Sequence, residues 1–208
     1  MPTQLEIIHA WDELADDWDD MAAGSAKGFF RLLQEHIPLQ SDMIVLDFGC
    51  GTGLIADLLR HRVKHVVAVD VSPVMVEILE EKMQAQEWEN VQVFHALLGD
   101  HDDEETQQIL KEYEGQIDLI IASSVLGFVT PETVGTTMEV LGRLLKPGGS
   151  FCHTDPPQME QRNHFTRQKA EIYYKKGGLE IVSTSVENLD LGQGQSCNVF
   201  LGIARKPF

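Results

Sequence analysis

A glycine-rich turn that directly follows a short apolar run limits the folds open to this chain. Residues 43–48 have the length and composition of a buried strand, and glycines follow at positions 49, 51 and 53. Residues 54–62 then have a helical pattern. A buried strand that leads through glycines into a helix is typical of a parallel sheet covered by helices on both faces. In such sheets ligands bind at the carboxyl ends of the strands, beside the free N–H groups that begin the next helix.

The rest of the chain continues the alternation of strands and helices. Further strands are predicted at 65–71, 90–95, 116–123, 150–154, 179–188 and 196–205, and further helices at 73–86, 131–145 and 165–176. The last two strands have only a short loop with Gly192 and Gly194 between them, so they must pair antiparallel. The sequence therefore predicts an α/β fold with a seven-stranded, mostly parallel sheet and one antiparallel strand near its edge.

Two helices are predicted before the first strand. Residues 4–22 are predicted to form a helix, and 27–36 a second short helix that ends before Pro38. The apolar residues at helical spacing in the first are Leu5, Ile8, Trp11, either Leu14 or Ala15, and Trp18. Because both helices precede the first strand, they are an addition to the alternating pattern of strands and helices.

Composition excludes several classes of protein. The 208 residues suffice for one domain and are few for two, and no apolar run reaches transmembrane length. The net charge of −17 disfavours nucleic acids and anionic membranes as partners. It reflects either solubility or an acidic patch that attracts a cationic substrate. The acidic first residues do not resemble a secretory signal. Three widely spaced cysteines without a C-x-x-C pair predict a reducing cytoplasm and no zinc site.

A carboxylate at the end of the second predicted strand indicates a nucleoside cofactor. Asp70 lies 21 residues after Gly49, where an acid can accept hydrogen bonds from both hydroxyls of a ribose. The nicotinamide fingerprint would require glycine at position 54, where this chain has Leu54. A Tyr-x-x-x-Lys pair is also missing, since Gly177 follows Tyr173 at that spacing. A nicotinamide oxidoreductase is therefore the weaker interpretation.

These motifs together resemble the class I S-adenosylmethionine-dependent methyltransferases. The family's D-x-G-x-G-x-G turn is matched by residues 47–53, and its acid after the second strand is matched by Asp70. Its D-L-I-type fourth strand is matched by 118–121 and its L-K-P-G-G turn by 145–149. The resemblance covers about 40–205 and implies a Rossmann-like fold. It implies a helical lid over 1–40 and an S-adenosylmethionine-binding methyltransferase domain over 41–208.

The resemblance implies a cofactor site for S-adenosylmethionine, with S-adenosylhomocysteine as product. Asp47 would lie near the amino group of the cofactor, Asp70 would hold its ribose, and Val71 would pack on its adenine. Leu97 and Leu98 stand where the family often has an acid. Either Asp100 replaces that acid, or the adenine contacts there would be apolar and from the backbone. The full implied set is Asp47, Gly49, Cys50, Gly51, Gly53, Asp70, Val71, Met75, Leu97, Leu98, Ala122, Ser123 and, from the lid, Trp18. Trp11 or Met21 are the other candidates to close the lid.

The candidates for catalysis follow the fifth predicted strand. His153 and Asp155 are predicted as a base for an acceptor hydroxyl or amine, with a lining or supporting role as the alternative. Together with His164 they match no metal-binding spacing, so no metal site is predicted. The loop 155–165 is predicted to shape the acceptor pocket.

The acceptor is expected to be a small molecule, because the chain has little beyond the core fold. Residues 122–125 lack the N-P-P-[YF] motif, which argues against methylation of amide or base amino groups. Arg162 and Arg167 would either bind an anionic acceptor or be solvated. No nucleic-acid or membrane partner is expected, and the oligomeric state is left open. The alternative to an enzyme is a non-catalytic S-adenosylmethionine-binding or regulatory protein, and an acceptor pocket filled by Trp or Phe side chains would favour it.

Overall fold

A single seven-stranded sheet organises the fold. The computed structural model describes residues 3–155 and 165–208. The helices are α1 (Gln4–Leu14), a short 3-10 helix (Ala15–Asp17), α2 (Trp18–His36), α3 (Leu54–Arg60), α4 (Pro73–Ala85), α5 (Glu104–Tyr113), α6 (Val134–Leu144) and α7 (Arg167–Lys176). The strands are β1 (Ile44–Phe48), β2 (His65–Asp70), β3 (Val91–His95), β4 (Ile117–Ser123), β5 (Leu145–Asp155), β6 (Glu180–Gly192) and β7 (Gln195–Arg205).

The strand order is β3-β2-β1-β4-β5-β7-β6. Strands β1 to β5 pair in parallel, whereas β7 is antiparallel to both β5 and β6. The predicted fold class, with one reversed strand near the edge, is therefore confirmed. The order reverses between β1 and β4, which places a crevice at the carboxyl ends of these two strands.

Two apolar layers cover the sheet because successive strand side chains point to opposite faces. Val45 packs in the layer under α2, α3 and α4, and its neighbour Leu46 packs in the layer under α5, α6 and α7. Both faces are buried, which explains why the strands have nearly continuous apolar sequences.

The N-terminal helices differ from the prediction of helices at 4–22 and 27–36. The interruption falls at Ala15–Asp17, and α2 then runs unbroken from Trp18 to His36. Gly24 and Gly28 do not break the helix. A Cβ on Gly24 would collide with the backbone of Leu191, and one on Gly28 would collide with that of Asp190, so these glycines allow α2 to approach the β6–β7 hairpin closely.

Two smaller boundaries also differ. The predicted turn at 146–149 belongs to β5, which begins at Leu145, and a register shift between Ile117 and Leu119 on β4 accommodates it. The helix predicted from Pro131 begins at Val134, since a turn precedes it.

Candidate functional site

The turn after β1 is fastened to the end of β2. The N–H groups of Gly49 and Cys50 both donate to the Val69 carbonyl, at 2.8 and 3.1 Å. Gly51 has a φ of 54°, in the left-handed region that favours glycine. A Cβ there would lie 3.0 Å from Nε1 of Trp18, the first residue of α2. Glycine at position 51 therefore allows the Trp18 ring to pack closely against the turn.

Asp70 is held in one orientation by backbone donors. Its Oδ2 accepts from the N–H of Gly51 at 2.8 Å, and its Oδ1 accepts from the N–H of Ser72 at 2.9 Å. Burial raises the pKa of Asp70, and these backbone hydrogen bonds oppose the rise. The carboxylate thus connects the glycine turn with the beginning of α4 and borders the crevice.

Asp47 is a buried carboxyl group that lacks a full set of partners. Its side chain is only 1% exposed, and within the described residues Oδ2 has no hydrogen-bond partner. Burial, with a smaller contribution from the negative charge of Asp70, raises the pKa of Asp47 to about 7. Such a group gains most from a cationic hydrogen-bond donor, because the donor both fills the vacant acceptor and offsets the cost of the buried charge.

Cys50 lies in the same turn, and its environment keeps the thiol protonated. Burial raises the pKa of Cys50 well above its ordinary value, and Asp70 and Asp47 add to the rise. Because the thiolate is the nucleophilic form, Cys50 is not suited to attack a substrate.

A cavity of about 400 Å³ opens above these groups. The predicted residues that line it are Trp18, Gly49, Gly51, Asp70, Val71, Met75, Leu97, Leu98 and Ser123. Asp47, Cys50, Gly53 and Ala122 lie outside the lining. The other lining residues were not assigned to the cofactor from the sequence: Gln4, Ile7, Leu14, Phe48, Gly99, Ser124, Val125, Phe128, Val129, Thr133 and Thr137, besides the proposed lid residue Trp11.

Helix α1 contributes one face to the cavity. Gln4, Ile7, Trp11 and Leu14 line it, and Trp18 continues the stripe on α2. The predicted apolar stripe was thus correct at Trp11 and Trp18 but wrong at its beginning, since Leu5 is 67% exposed and Ile7 is buried. The helical spacing of residues 4, 7, 11, 14 and 18 was a usable signal, although the polar Gln4 obscured it.

Hydrogen bonds and ring contacts tie the N-terminal helices to both sides of the cavity. The hydroxyl of Ser72 donates to Asp12 at 2.6 Å. The Thr52 hydroxyl and the Lys82 ammonium both bind the Asp19 carboxylate, each at 2.5 Å. Met21, an alternative lid residue, is 61% exposed and does not line the cavity.

Aromatic rings cover the same region. Trp11 packs edge-to-face against Trp18 and against Phe128, with ring centroids 5.4 and 4.9 Å apart. The two contacts connect α1 with the loop after β4. The three rings form an apolar wall of the cavity. A ligand bound against this wall would displace water from it.

His153 and Asp155 contact each other in the interior rather than in the cavity lining. His153 is 0% exposed, with Nδ1 2.7 Å from Oδ2 of Asp155 and Nε2 2.6 Å from the hydroxyl of Tyr174. Their role as a base stays a prediction, because neither side chain lines the cavity formed by the described residues.

Among the arginines and the loop residues considered for the acceptor, those that the structure describes do not line the cavity. Arg167 is exposed and pairs with Glu171 at 3.1 Å. Arg162, His164 and most of the loop 155–165 lie outside the described residues. Within residues 3–155 and 165–208, no three His, Cys, Asp or Glu side chains are grouped so that they could hold a metal ion. No helix in the same ranges combines the length and the apolar character that crossing a bilayer requires.

Comparison with known proteins gives a family match over half of the chain. Residues 46–151 match a family model described as a methyltransferase domain. The chain is 27% identical over 185 residues to a malonyl-[acyl-carrier protein] O-methyltransferase from Paenibacillus sp. (strain JDR-2), covering 85% of this chain and 62% of that protein. It is 28% identical over 181 residues to a ribosomal protein L11 methyltransferase from Thermoanaerobacter pseudethanolicus, covering 84% of this chain and 52% of that protein. The chain thus spans only part of the length of both relatives.

A solved structure extends the likeness over nearly the whole chain. The [4+2]-cyclase SpnF superposes with a TM-score of 0.74 and 15% identity, covering 99% of this chain and 97% of that one. At this identity the likeness shows the fold alone. One fold can host different reactions, so the chemistry has to be argued from the site.

Proposed function

Because this chain belongs to the methyltransferase domain family, we propose that it moves a methyl group from S-adenosylmethionine to a small-molecule acceptor in the cavity above the glycine turn. One observation carries the proposal: a buried carboxyl group without a full set of partners, Asp47, lies beside a carboxylate of fixed orientation, Asp70. A ligand with a cationic amine and a ribose matches both groups.

The residues present fit the cofactor. Asp70 lines the cavity and suits the two ribose hydroxyls. Asp47 lies just outside the lining, and its vacant Oδ2 would accept a hydrogen bond from an ammonium group that reaches past the glycine turn. Gly49 and Gly51, which line the cavity, would face the part of the cofactor between its ribose and its amine. The remaining proposed contacts are apolar around the adenine and come from the backbone or from small side chains elsewhere. They are Gly49, Cys50, Gly53, Val71, Met75, Leu97, Leu98, Ala122, Ser123 and Trp18.

The protein has mainly to bind, align and exclude water. When bound, the cofactor supplies a methyl group on a positively charged sulfur that is already a good leaving group. Trp11, Trp18 and Phe128 would keep the reacting atoms out of water, and the wall they form would hold the acceptor in line. A base is needed only where the acceptor atom loses a proton. His153 and Asp155 were predicted for that role, but neither lines the cavity, and both ring nitrogens of His153 already lie against Asp155 and Tyr174.

A small acceptor is supported by the cavity itself. Its volume of about 400 Å³ falls in the range of small-molecule sites, and apolar side chains dominate its lining. The names of two relatives refer to an acyl-carrier protein and a ribosomal protein. An acceptor carried on a protein is therefore the alternative that has to be tested against a free small molecule. The net charge of −17 disfavours nucleic acid.

Calorimetric titration with S-adenosylhomocysteine tests the cofactor assignment. We expect the wild type to bind and Asp70→Ala to lose most of the affinity. The control is Asp42→Ala, which removes the same side chain at an exposed position. If the wild type bound NAD in the same experiment and not S-adenosylhomocysteine, the proposal would be wrong.

A non-catalytic binding protein is the second candidate, because aromatic side chains line the space where an acceptor would lie. The two candidates differ in turnover. Release of S-adenosylhomocysteine from S-adenosylmethionine, measured with a panel of small hydroxyl, amine and thiol acceptors, would establish an enzyme. Tight binding with no release across the panel and a protein extract would favour the second candidate.

A further inference from the structure

A chain of hydrogen bonds runs through the interior beside the cavity. The N–H of Gly127, in the loop after β4, donates to Oδ1 of Asp155 at 2.9 Å. The other carboxylate oxygen is 2.7 Å from Nδ1 of His153, and Nε2 of His153 is 2.6 Å from the hydroxyl of Tyr174 on α7. Three elements, the β4 loop, β5 and α7, are thereby joined through polar groups that are closed off from water.

The surroundings are shaped to admit this chain of groups. Gly202 on β7 lies opposite His153 in the sheet register. A Cβ at this position would collide with the Tyr174 hydroxyl and would lie only 2.5 Å from Nε2 of His153. Phe151, Phe165 and Phe200 surround the imidazole with ring centroids 4.7 to 5.8 Å away. The three phenylalanine rings keep water away from the network, and glycine at position 202 leaves room for it. In such surroundings, hydrogen bonds between polar groups are strengthened.

With Asp155 ionised and His153 neutral, every polar atom of the chain has a hydrogen-bond partner. An ionised Asp155 carboxylate only accepts hydrogen bonds, so Nδ1 of His153 must carry a proton. A neutral imidazole then has its lone pair on Nε2, and the Tyr174 hydroxyl donates to it. His153 in this state cannot take a proton at Nδ1, and its Nε2 is covered by Tyr174.

The network is connected to the cavity through the loop that Gly127 belongs to. Ser124, Val125 and Phe128 of this loop line the cavity. Two hydrogen bonds fasten the loop to β5: Ser124 N–H to the Thr154 carbonyl at 2.7 Å, and Gly127 N–H to Asp155. Between them, Val125 packs where a Cβ on Gly49 would otherwise lie. A change at Asp155 would therefore reach the glycine turn and the Trp11–Phe128 contact.

We propose that Tyr174, His153 and Asp155 form a positioning relay that fixes the β4 loop as the wall of the cavity. The relay acts through Gly127 and does not touch the ligand. The effect of the relay on affinity rests on the proposed function, because S-adenosylhomocysteine is the probe. The hydrogen bonds of the relay and its effect on the cavity wall are independent of the proposed function.

Three variants test the relay, with Tyr173→Phe as the matched control on the same helix. Asp155→Ala removes the acceptor of Gly127 and is expected to weaken S-adenosylhomocysteine binding by about tenfold or more, as for loss of a hydrogen bond to a charged group. Tyr174→Phe removes only the hydroxyl that contacts Nε2 of His153 and should weaken S-adenosylhomocysteine binding by about threefold. Asp155→Asn keeps a carbonyl acceptor for Gly127 and should fall between the control and Asp155→Ala. Near-UV circular dichroism should show a changed Trp11–Phe128 environment in Asp155→Ala and not in Tyr173→Phe.

Nitrogen NMR of the imidazole reports directly on the hydrogen bonds of the relay, independently of ligand binding. His153, identified by loss of its signals in His153→Gln, should be neutral with its proton on Nδ1 in the wild type. In Asp155→Asn the amide NH₂ can donate to Nδ1, so the ring proton should move to Nε2 and donate to Tyr174.

Two results would overturn the relay. One is a wild-type ring that is doubly protonated or protonated only at Nε2. The other is a folded Asp155→Ala whose Gly127 amide signal and near-UV spectrum match the wild type. Failure of the wild type to bind S-adenosylhomocysteine would instead count against the proposed function, and the NMR and dichroism results would still decide on the relay.

Discussion

Replacing Asp47 with asparagine should make the protein more stable at alkaline pH and weaken its ligand binding. Asp47 is fully buried, and its pKa is raised to about 7 because burial and the charge of Asp70 both oppose ionisation. The amide has nearly the same shape but never becomes charged. The substitution therefore removes the cost of the buried charge and, with it, the attraction for a cationic amine.

The magnitude follows from proton linkage. Between the ordinary pKa of 3.8 and about 7, the folded state holds a proton that the unfolded state has released. The stability contributed by the protonated group is thus complete below the lower value and is lost as pH rises through the upper one, at about 1.4 kcal/mol per pH unit. From pH 5.5 to pH 8 the wild type should lose about 2 kcal/mol relative to Asp47→Asn. For a domain of this size that corresponds to roughly 4–8 °C in Tm.

The assay is thermal or urea unfolding of both proteins at the two pH values. Titrations of all other groups are common to both proteins and cancel in the difference. A constant cost of packing the amide, about 1–3 kcal/mol for an unpaired N–H, also cancels because it is the same at both pH values. Asp42→Asn, which makes the same change at an exposed position, is the matched control.

Calorimetry with S-adenosylhomocysteine completes the test. Asp47→Asn should bind about tenfold more weakly or worse, since a charge-assisted hydrogen bond is replaced by a neutral one. A stability difference that is the same at pH 5.5 and pH 8 would refute the argument about the buried charge. Unchanged affinity would refute the assignment of Asp47 to the ligand's amine.

Three further predictions address the pH, the N-terminal helices and the packing of α2. Because the ionised form of Asp47 is the one that binds a cationic amine, affinity for S-adenosylhomocysteine should rise by up to about tenfold per pH unit below pH 7 and level off above it, in calorimetry at several pH values. Ser72→Ala removes the N-cap of α4 and the bond to Asp12, and urea unfolding should show a loss of about 1 kcal/mol or more, with changed tryptophan fluorescence; unaltered fluorescence would argue against coupling to the lid. Gly24→Ala should destabilise by about 1–3 kcal/mol because its Cβ meets the Leu191 backbone, whereas Gly135→Ala on α6, which meets only the end of the Lys176 side chain, should be neutral or stabilising by up to about 1 kcal/mol.

The elements that carry chemistry were the most predictable part of the molecule. The glycine turn and the acid at Asp70 are local signals, since a strand that ends in glycines and a helix that begins after them are set by neighbouring residues. The antiparallel edge was predictable for a similar reason: a two-glycine loop leaves no room for a crossover helix. For the cavity, nine of the thirteen cofactor residues implied by the resemblance lie in its lining.

Features that depend on distant partners were not predictable. The phase of the α1 stripe was missed at Leu5 and Ile7, because the helix faces a cavity rather than a closed core. The hydrogen bond between Nε2 of His153 and the Tyr174 hydroxyl depends on the missing side chain of Gly202, and nothing near position 153 signals it. The continuity of α2 through Gly24 likewise depends on a strand more than 160 residues later in the chain.

The close packing of α2 on the β6–β7 hairpin has a consequence for the order of assembly. Trp18 begins α2, and the helix is seated by contacts between Gly24 and Leu191 and between Gly28 and Asp190. These contacts join the two ends of the described chain, so they form late and contribute to slow folding. On a ribosome, the glycine turn and Asp70 would emerge long before the β6–β7 hairpin against which α2 packs. The cavity would therefore lack its seated α2 wall until β6 and β7 have been synthesised.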